Sequence, residues 1–201
     1  MKTLTHCATQ PQRRSGASVG VITRNRDGLT EWLLQWNPVW QAMNLIGGRK
    51  EKTDANDLTC MIREIHEELF EDLSAEELTR LQILLKHNND SYIREESDWQ
   101  DPSIEQITRI GGAPFECDAM SEAANCLTHY TFHVYHVALH ADEPLFQQDS
   151  FVVPTKESSV LNEWGSTENI TRGVTAQGRP IGKTVAQIVM WIQSQQHSAP
   201  L

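Results

Sequence analysis

The apolar positions of the chain form short runs rich in β-branched and aromatic residues, separated by polar stretches. Such runs favour strands, because branched and aromatic side chains pack well on a pleated surface. They lie at residues 18–23, 32–36, 43–46, 104–110, 127–139 and 151–153. The first two runs are separated by a turn composition at residues 25–28 (NRDG), and we therefore predict that they form a β-hairpin.

Two other segments carry apolar residues at helical spacing. In residues 58–69 the apolar stripe consists of Leu58, Ile62, Ile65 and Leu69. Near the end of the chain a second stripe consists of Ile181, Val185, Ile188, Val189 and Ile192. A capping-box pattern at residues 74–77 (SAEE) predicts a further helix over residues 75–86. The order of strands, helix, strands and helix predicts a mixed α/β sandwich.

The polar stretches indicate how the chain is organised around this core. A length of 201 residues with 39% hydrophobic content suits one globular domain with additions. Residues 1–14 and 196–201 lack periodicity, so we predict tails that flank a single domain over residues 15–195. Residues 72–103 are largely polar and predict an inserted helical and loop segment. A second loop is predicted between residue 153 and the last helix.

Charge and cysteine content narrow the class of partner. The formal net charge of −10 opposes broad attraction to nucleic acids or anionic membranes, so an anionic ligand would need local help, such as a metal ion. The four cysteines form no C-x-x-C pair, and reduced thiols in a cytoplasm are expected. We find neither a signal-peptide pattern nor an apolar run of membrane-spanning length. The expectation is a cytoplasmic protein with no membrane partner and no specific nucleic-acid partner.

The first helix carries a concentrated set of carboxylates. At about 100° per residue, one arc away from the apolar stripe holds Glu64, Glu67, Glu68 and Glu71. Like charges at these spacings destabilise a helix by a few tenths of a kcal/mol per pair, roughly, unless a cation is present. The arc is therefore either a solvated acidic face or a site for a hard cation, such as Mg²⁺ held by carboxylates and substrate phosphate oxygens.

Two other patterns suggest chemistry but have simpler interpretations. His129, His133, His136 and His140 include spacings that suit zinc on a helix, yet the composition around them predicts a strand, which divides them between two faces. Residues 178–184 (GRPIGKT) end like a phosphate-binding loop, but one residue is missing between the glycines. We predict that this segment starts the last helix.

Residues 48–71 resemble the Nudix hydrolase signature: a glycine, five residues, Glu, seven residues, then Arg-Glu-aliphatic-x-Glu-Glu-x-Gly-aliphatic. Gly48 matches the first glycine, and residues 63–68 (REIHEE) match the second half. There are three departures. The loop acid is Asp54, one residue farther from Arg63 than in the family, and Phe70 and Glu71 replace the second glycine and the final aliphatic residue. The turn that leaves the helix must therefore differ from that of the family.

The resemblance implies an α/β/α sandwich with a mixed sheet and a metal-dependent active site. In the family, the corresponding glutamates and the carbonyl of the first glycine hold Mg²⁺ or Mn²⁺ against the diphosphate of the substrate. Here those groups would be Glu64, Glu67, Glu68 and Gly48. Arg63 would orient the glutamates through charge-assisted hydrogen bonds.

Other candidate ligand-binding residues are less specific. Asp54 and Glu51 are rivals for the loop acid. Family members often take a further glutamate from a later loop, which here would be Glu157 or Glu163. Trp40 and Trp164 could stack on a nucleobase, with core or rim packing as the alternative for each.

These features predict a metal-dependent hydrolase of a nucleoside diphosphate-linked substrate, cleaved at its pyrophosphate bond. The alternative is a Nudix-like module that binds nucleotides without turnover, motivated by Asp54, the longer loop and Phe70. A third interpretation is an interaction protein with an acidic helix, which predicts neither metal nor nucleotide binding. The expected partner is a nucleotide-type small molecule, and a homodimer is kept as a possible assembly.

Overall fold

The computed structural model of the protein describes residues 11, 13–70, 91–93, 104–121, 125–139, 144–154 and 159–198. The strands within these residues are β1 (Arg13–Val21), β2 (Thr23–Arg26), β3 (Leu29–Asn37), β4 (Ala42–Asn44), β5 (Ile46–Gly48), β6 (Ser91–Ile93), β7 (Ile104–Arg109), β8 (Phe115–Ser121), β9 (Cys126–Leu139), β10 (Ser150–Pro154) and β11 (Ser159–Ser166). The helices are α1 (Asp57–Leu69), α2 (Thr167–Arg172) and α3 (Lys183–Ser198), and a 3₁₀ turn spans Pro144–Gln147.

The described strands form two sheets. The larger has six strands, in the order β5-β1-β9-β7-β6, with β8 paired to the first half of β9. This sheet is mixed, because β1 and β9 run parallel whereas the other pairs are antiparallel. The second sheet has five antiparallel strands, in the order β10-β11-β3-β2, with β4 also paired to β3. The predicted α/β class with a mixed sheet is confirmed.

The predicted N-terminal hairpin is correct only in its second part. Asp27 and Gly28 both have positive φ, 53° and 78°, which is the geometry of a tight two-residue turn between β2 and β3. Residues 18–21, however, belong to β1 and pair with β5 and β9 in the mixed sheet. The chain therefore changes sheets at Ile22, and this single run of the sequence supplies a strand to each sheet.

Two apolar clusters fill the space between sheets and helices. Along β3 and β9, Leu33 and Tyr135 belong to the cluster that contains α1, whereas Leu34 and Val134 belong to the cluster that contains α3. Because consecutive strand residues point to opposite faces, α1 and α3 cover opposite faces of these strands. Both predicted helical stripes are buried. In α1 they are Leu58, Ile62, Ile65 and Leu69. In α3 they are Val185, Ile188, Val189 and Ile192, and Ile181 lies just before this helix.

The loop predicted between residue 153 and the last helix is wrong. This segment contains β11, which lies between β10 and β3 in the second sheet, and the short helix α2. The polar composition of this segment predicts a loop, but Asn162 and Glu163 are fully buried in the strand. Strand β8 was not predicted either; its half-buried residues alternate with exposed ones, among them Glu116 and Asp118.

The predicted tail boundaries also shift. Residues 13 and 14 are not tail, because their backbone extends the parallel pairing of β1 with β9. Helix α3 continues to Ser198, three residues beyond the predicted domain end, since the glutamine-rich sequence there contains no helix breaker. Of the predicted insertion at residues 72–103, the structure describes residues 91–93, which form β6. The predicted helix over residues 75–86 lies outside the described residues.

The remaining predictions concern the long strand, the thiols and the membrane. Strand β9 confirms the strand interpretation of the histidine-rich segment, of which residue 140 lies outside the described part. Cys60, Cys117 and Cys126 are free thiols, and Cys7 is outside the described residues. Among the helices that the structure describes, none combines the length and the apolar character needed to cross a membrane.

Candidate active site

Helix α1 carries the glutamates and starts at a defined cap. The side chain of Asn56 accepts a hydrogen bond from the backbone N–H of Thr59 at 2.8 Å, which satisfies one of the free donors of the first turn. The helix ends at Phe70, whose φ of −128° requires no glycine. Phe70 packs on the apolar cluster that contains α1, and the centroid of its ring is 6.0 Å from that of His66. The replacement of the family's second glycine is therefore accommodated by a different helix end.

Two glycines bring strand β5 against β1 and α1. Gly47 and Gly48 pair with Val19 and Ser18 of β1. Gly47 has a φ of 147°, and a Cβ at this position would overlap the backbone carbonyl of Ser18. A Cβ on Gly48 would overlap the carboxylate of Glu64. The absence of a side chain at Gly47 thus allows β5 to approach β1, and its absence at Gly48 allows the Glu64 carboxylate to lie against the end of β5.

Arg63 connects this loop to the glutamate helix. Its guanidinium contacts the carboxylates of Asp54 at 3.0 and 3.1 Å, Glu67 at 2.7 Å and Glu64 at 2.8 Å. It also donates to the backbone carbonyl of Arg49 at 3.1 Å. Burial disfavours the charged form of Arg63, but the hydrogen bonds to Asp54 and the charges of Glu64 and Glu67 outweigh this, so its pKa is raised. The guanidinium therefore stays charged and fixes the positions of three carboxylates.

The two rivals for the loop acid have different environments. Asp54 and Arg63 are each 5% exposed, and the bidentate contact between them is buried. Asp54 also accepts a hydrogen bond from the backbone N–H of Glu51 at 2.8 Å. The side chain of Glu51 is exposed. Asp54 is thus engaged with Arg63 and with the loop backbone, whereas Glu51 faces solvent.

Glu64 and Glu68 are the least solvated of the helix glutamates. Burial raises the pKa of Glu64, although Arg63 opposes this shift. Burial and then the charge of Glu64 raise the pKa of Glu68 to about 8, although the backbone N–H of Gly47, 3.2 Å from Glu68 Oε2, opposes the shift. The side chain of Gln35 from β3 lies against the same carboxylate, and with its amide nitrogen turned toward Glu68 it is 3.2 Å from both oxygens.

The charges near Arg63 are unbalanced. One guanidinium lies among four carboxylates, those of Asp54, Glu64, Glu67 and Glu68. Within the described part of the chain, no three His, Cys, Asp or Glu side chains already form a metal-binding arrangement. The donors nevertheless fit a hard divalent cation, since they are carboxylate oxygens with excess negative charge beside the backbone carbonyl of Gly48. After burial, the charge of Glu64 also raises the pKa of Glu68, and a bound cation would offset this second contribution.

Of the other predicted ligand-binding residues, Glu163 lies away from this cluster. Glu163 pairs with Leu34 across β11 and β3, and it therefore lies on the α3 side of the sheet, in contact with Arg179. Trp40 is half exposed in the turn between β3 and β4. Glu157 is outside the described residues. The structure therefore brings together the residues of the signature but not Glu163.

Two residues near the cluster were missed from the sequence. Gln35 contacts Glu68, and the sequence signal was a single amide within the otherwise apolar run at residues 32–36. Cys60 is buried with its Sγ 3.7 Å from the carbonyl oxygen of Gly48, and burial raises the pKa of this thiol to about 12. Its position one turn before Glu64 was the only indication. Cys60 is thus a neutral packing residue rather than a nucleophile.

Alanine at the two glycines is expected to have different effects. Gly47→Ala should cost about 2 kcal/mol of unfolding free energy, because the added Cβ meets the backbone of Ser18 at an unfavourable φ. Gly48→Ala should cost less, because its Cβ meets only the flexible end of Glu64, but it should displace that carboxylate. Urea unfolding measures the first effect, and weakened Mg²⁺ binding in a calorimetric titration measures the second.

Gly178→Ala is the matched control for Gly47. Gly178 also has positive φ, 81°, but a Cβ there has no neighbour within 4 Å. It should therefore lose only about 1 kcal/mol, from backbone strain alone. Equal losses at Gly47 and Gly178 would show that the close contact between β5 and β1 does not matter.

Comparison with solved structures identifies the architecture. The NUDIX domain of Shewanella oneidensis NrtR, solved with ADP-ribose, matches with a TM-score of 0.50 and 11% sequence identity over 96% of this chain and 94% of that domain. RenU, a Nudix hydrolase from M. smegmatis, matches at a TM-score of 0.45 and 17% identity over 94% of this chain and 89% of that one. C. elegans Ap4A hydrolase matches at a TM-score of 0.44 and 12% identity over 92% of this chain and 96% of that one.

The sequence comparisons give a different result from the structural ones. No protein-family model and no curated protein sequence matches the chain. The agreement with the NrtR domain nevertheless extends over nearly the whole length of both chains. Together with the sheet order and the position of α1 against β5 and β1, it shows that this chain has the Nudix fold.

Proposed function

We propose that the protein is a metal-dependent hydrolase that cleaves a pyrophosphate bond in a nucleoside diphosphate-linked substrate. The observation that carries this proposal is the cluster in which Arg63 holds Glu64 and Glu67 beside Gly48, with Glu68 largely buried next to them. Negative charge is concentrated there well beyond what Arg63 balances. An ordinary solvated acidic face would not bury its carboxylates in this way.

The proposed roles follow from these positions. Glu64, Glu67, Glu68 and the carbonyl of Gly48 would hold Mg²⁺ or Mn²⁺. The cation would neutralise the diphosphate oxygens, whose negative charge otherwise repels a nucleophile. It would also lower the pKa of the attacking water. Carboxylates in excess of those needed to hold it can accept a proton from the attacking water. Arg63 keeps the glutamates in position through its charge-assisted contacts.

Asp54 is assigned a positioning role, with no direct contact to substrate. Its carboxylate oxygens receive Nε and Nη2 of Arg63, and one of them also receives the N–H of Glu51. This arrangement ties the loop after β5 to α1 despite the extra residue in the loop. The exposed Glu51 remains the candidate for a loop acid that reaches a ligand.

The substrate class is inferred from chemistry and from the fold. The NrtR domain was solved with ADP-ribose, which contains a diphosphate between adenosine and a ribose. A ligand of this kind combines the diphosphate that the cluster needs with a base and a sugar. We propose a nucleotide-type small molecule in the cytoplasm as the partner, and Trp40 stays a prediction for base stacking.

The alternative of a binding module without turnover rests on the departures from the signature. The geometry gives these departures little weight, since Asp54 reaches Arg63 and Phe70 ends the helix without a positive φ. The two functions differ in a direct assay. A binding module would be stabilised by nucleotides without releasing product, whereas a hydrolase would release product with Mg²⁺ or Mn²⁺.

Turnover is tested with a panel of dinucleoside polyphosphates, nucleotide sugars, ADP-ribose and nucleoside triphosphates, each with Mg²⁺ or Mn²⁺. Product release from at least one substrate class, abolished by EDTA, is the expected result. Absence of product across the whole panel would contradict the proposal.

Metal binding is tested separately by thermal unfolding. Mg²⁺ added to metal-free protein should raise the melting temperature, since saturation at a hundred times Kd contributes about 2.7 kcal/mol. The increase should be lost when Glu64 and Glu67 are both changed to Gln. Glu168→Gln on α2 is the matched control, because this glutamate is 80% exposed and distant from α1 in the sequence. A metal effect that survives in the double variant would contradict the assigned ligands.

A further inference from the structure

A cavity of about 390 Å³ lies beside the loop that follows β5, and the residues of the glutamate cluster do not line it. The backbone of β1 over residues 13–17 forms one side. The charged and titratable residues that line it are Arg13, Arg14, Arg49, Lys50, Asp57 and His133. The cavity is therefore built from strand β1, strand β9, the loop after β5 and the first turn of α1.

The charge of this cavity is opposite to that of the whole chain. Four cationic residues line it against the single acidic residue Asp57, in a chain with a net charge of −10. Arg13, Arg14 and Arg49 form no ion pair with any carboxylate in the described ranges. Asp57 lies 3.6 Å from Nε2 of His133. Cations that face an open cavity without carboxylate partners are available to an anion.

The shape of the cavity depends on the alternation of β1. Ser18 donates to the backbone carbonyl of Asp57 at 2.8 Å, so residues 14 and 16 share the face that meets the start of α1. Gly16 leaves this face open, since a Cβ there would meet only the carbonyl of Thr131, at 3.8 Å. Gly16, which has no side chain, thus forms the floor of the cavity.

The cavity adjoins the proposed metal site through the backbone. Gly48 pairs with Ser18, and Arg49 and Lys50 continue the chain alongside residues 16–17 of β1. The carbonyl of Arg49 receives Nη2 of Arg63, which fixes the loop at this point. One residue of extended chain spans about 3.3 Å, so the basic cavity starts within roughly 7 Å of Gly48.

We propose that this basic cavity binds phosphate groups of a polyphosphate chain that extend beyond the bond held at the glutamates. The assignment of the scissile bond rests on the proposed function, whereas the anion site itself rests on the cavity and its charges. Guanidinium groups suit phosphate oxygens because they donate in a planar pair, and Lys50 adds a point charge. Substrates with three or more phosphates should therefore be favoured over those with two.

Binding of inorganic tripolyphosphate to metal-free protein in EDTA tests the site. Without metal the glutamate cluster repels anions, so calorimetric binding in EDTA reports the basic cavity. The Arg14→Gln/Arg49→Gln double variant should weaken binding about a hundredfold, or tenfold for each lost charged contact. Gly16→Val should weaken binding without any change of charge, because its side chain fills the floor. Arg172→Gln, at a residue 64% exposed on α2, is the control and should bind like the unmodified protein.

The outcomes separate the two proposals. Equal tripolyphosphate affinity in the double variant, in Gly16→Val and in the control would overturn the cavity as an anion site, whatever the turnover. Binding that depends on the cavity in a protein that hydrolyses none of the panel would overturn the proposed hydrolase but not the anion site. Far-ultraviolet circular dichroism of each variant confirms that the fold is retained.

Discussion

Glu68→Gln is expected to lower kcat/KM by at least about a hundredfold, the scale of removing a group that transfers a proton or fixes the reacting atoms. Glutamine keeps the size of the side chain but removes its negative charge. Glu68 lies against Gly47 and Gln35, and either of its proposed roles, metal ligand or proton acceptor, requires the carboxylate. Steady-state kinetics on whichever substrate the panel identifies, at saturating Mg²⁺, measures this loss.

The same substitution should stabilise the metal-free protein at alkaline pH. The pKa of Glu68, about 8 in the folded protein, lies above the ordinary glutamate value, so the folded state binds this proton more tightly than the unfolded state. The corresponding stability is fully present below the unfolded pKa and is lost as the pH rises through 8. Glu68→Gln should therefore match the unmodified protein near pH 4 and melt several degrees higher near pH 9, at about 2–4 °C for each kcal/mol.

Two results would contradict this combination. Unchanged kcat/KM in Glu68→Gln would remove Glu68 from the active site. A melting temperature that falls equally at both pH values would show that glutamine disturbs packing and does not simply remove an unfavourable charge. Glu168→Gln on the exposed surface of α2 controls for the loss of one negative charge and should change neither quantity.

Arg63→Met is expected to cause the largest loss of stability, about 3–5 kcal/mol, because it leaves a buried charge without its partner. Arg63 and Asp54 are both almost fully buried, and Glu64 and Glu67 also depend on the guanidinium. The loss of stability in Arg63→Lys should be smaller than in Arg63→Met but still measurable, since an ammonium keeps the charge but cannot make the bidentate contact. Urea unfolding at neutral pH gives the free energies, with Arg172→Met on α2 as the exposed control.

A double-mutant cycle measures how much of this loss comes from the contact between Arg63 and Asp54. Once Arg63 is Met, changing Asp54 to Asn should cost little or restore stability, because the uncompensated carboxylate is removed. The two changes together should therefore cost less than the sum of their separate losses. Strictly additive losses would mean that Arg63 and Asp54 are not energetically coupled, and that the loop after β5 is held by other contacts.

Much of the glutamate helix follows from local sequence alone. The stripe from Leu58 to Leu69 repeats at helical spacing, and helix formation depends on neighbours three and four residues away. The arc of Glu64, Glu67 and Glu68 follows from the same geometry. Strand β9 was also predictable, because β-branched and aromatic residues are frequent over its whole length. These features need no knowledge of which elements meet.

The errors occurred where distant parts of the chain decide the structure. Strand β11 reads as a loop because Asn162 and Glu163 are polar, yet its position between β10 and β3 buries both. The register between β11 and β3 also places Glu163 on the α3 side, away from the glutamate helix. In the same way, residues 18–23 are predicted as one strand, but they pair with different sheets on either side of Ile22.

By itself, the sequence determined the mixed α/β class, the two amphipathic helices and the acidic arc of α1, because each depends on a short repeating pattern. The tertiary structure decided that Asp54 holds Arg63, that Gln35 reaches Glu68, and that basic residues of β1 meet the loop after Gly48. The physical reason is that these contacts depend on strand pairing and register. Those are fixed by which surfaces are buried together, and the spacing of residues along the chain does not record them.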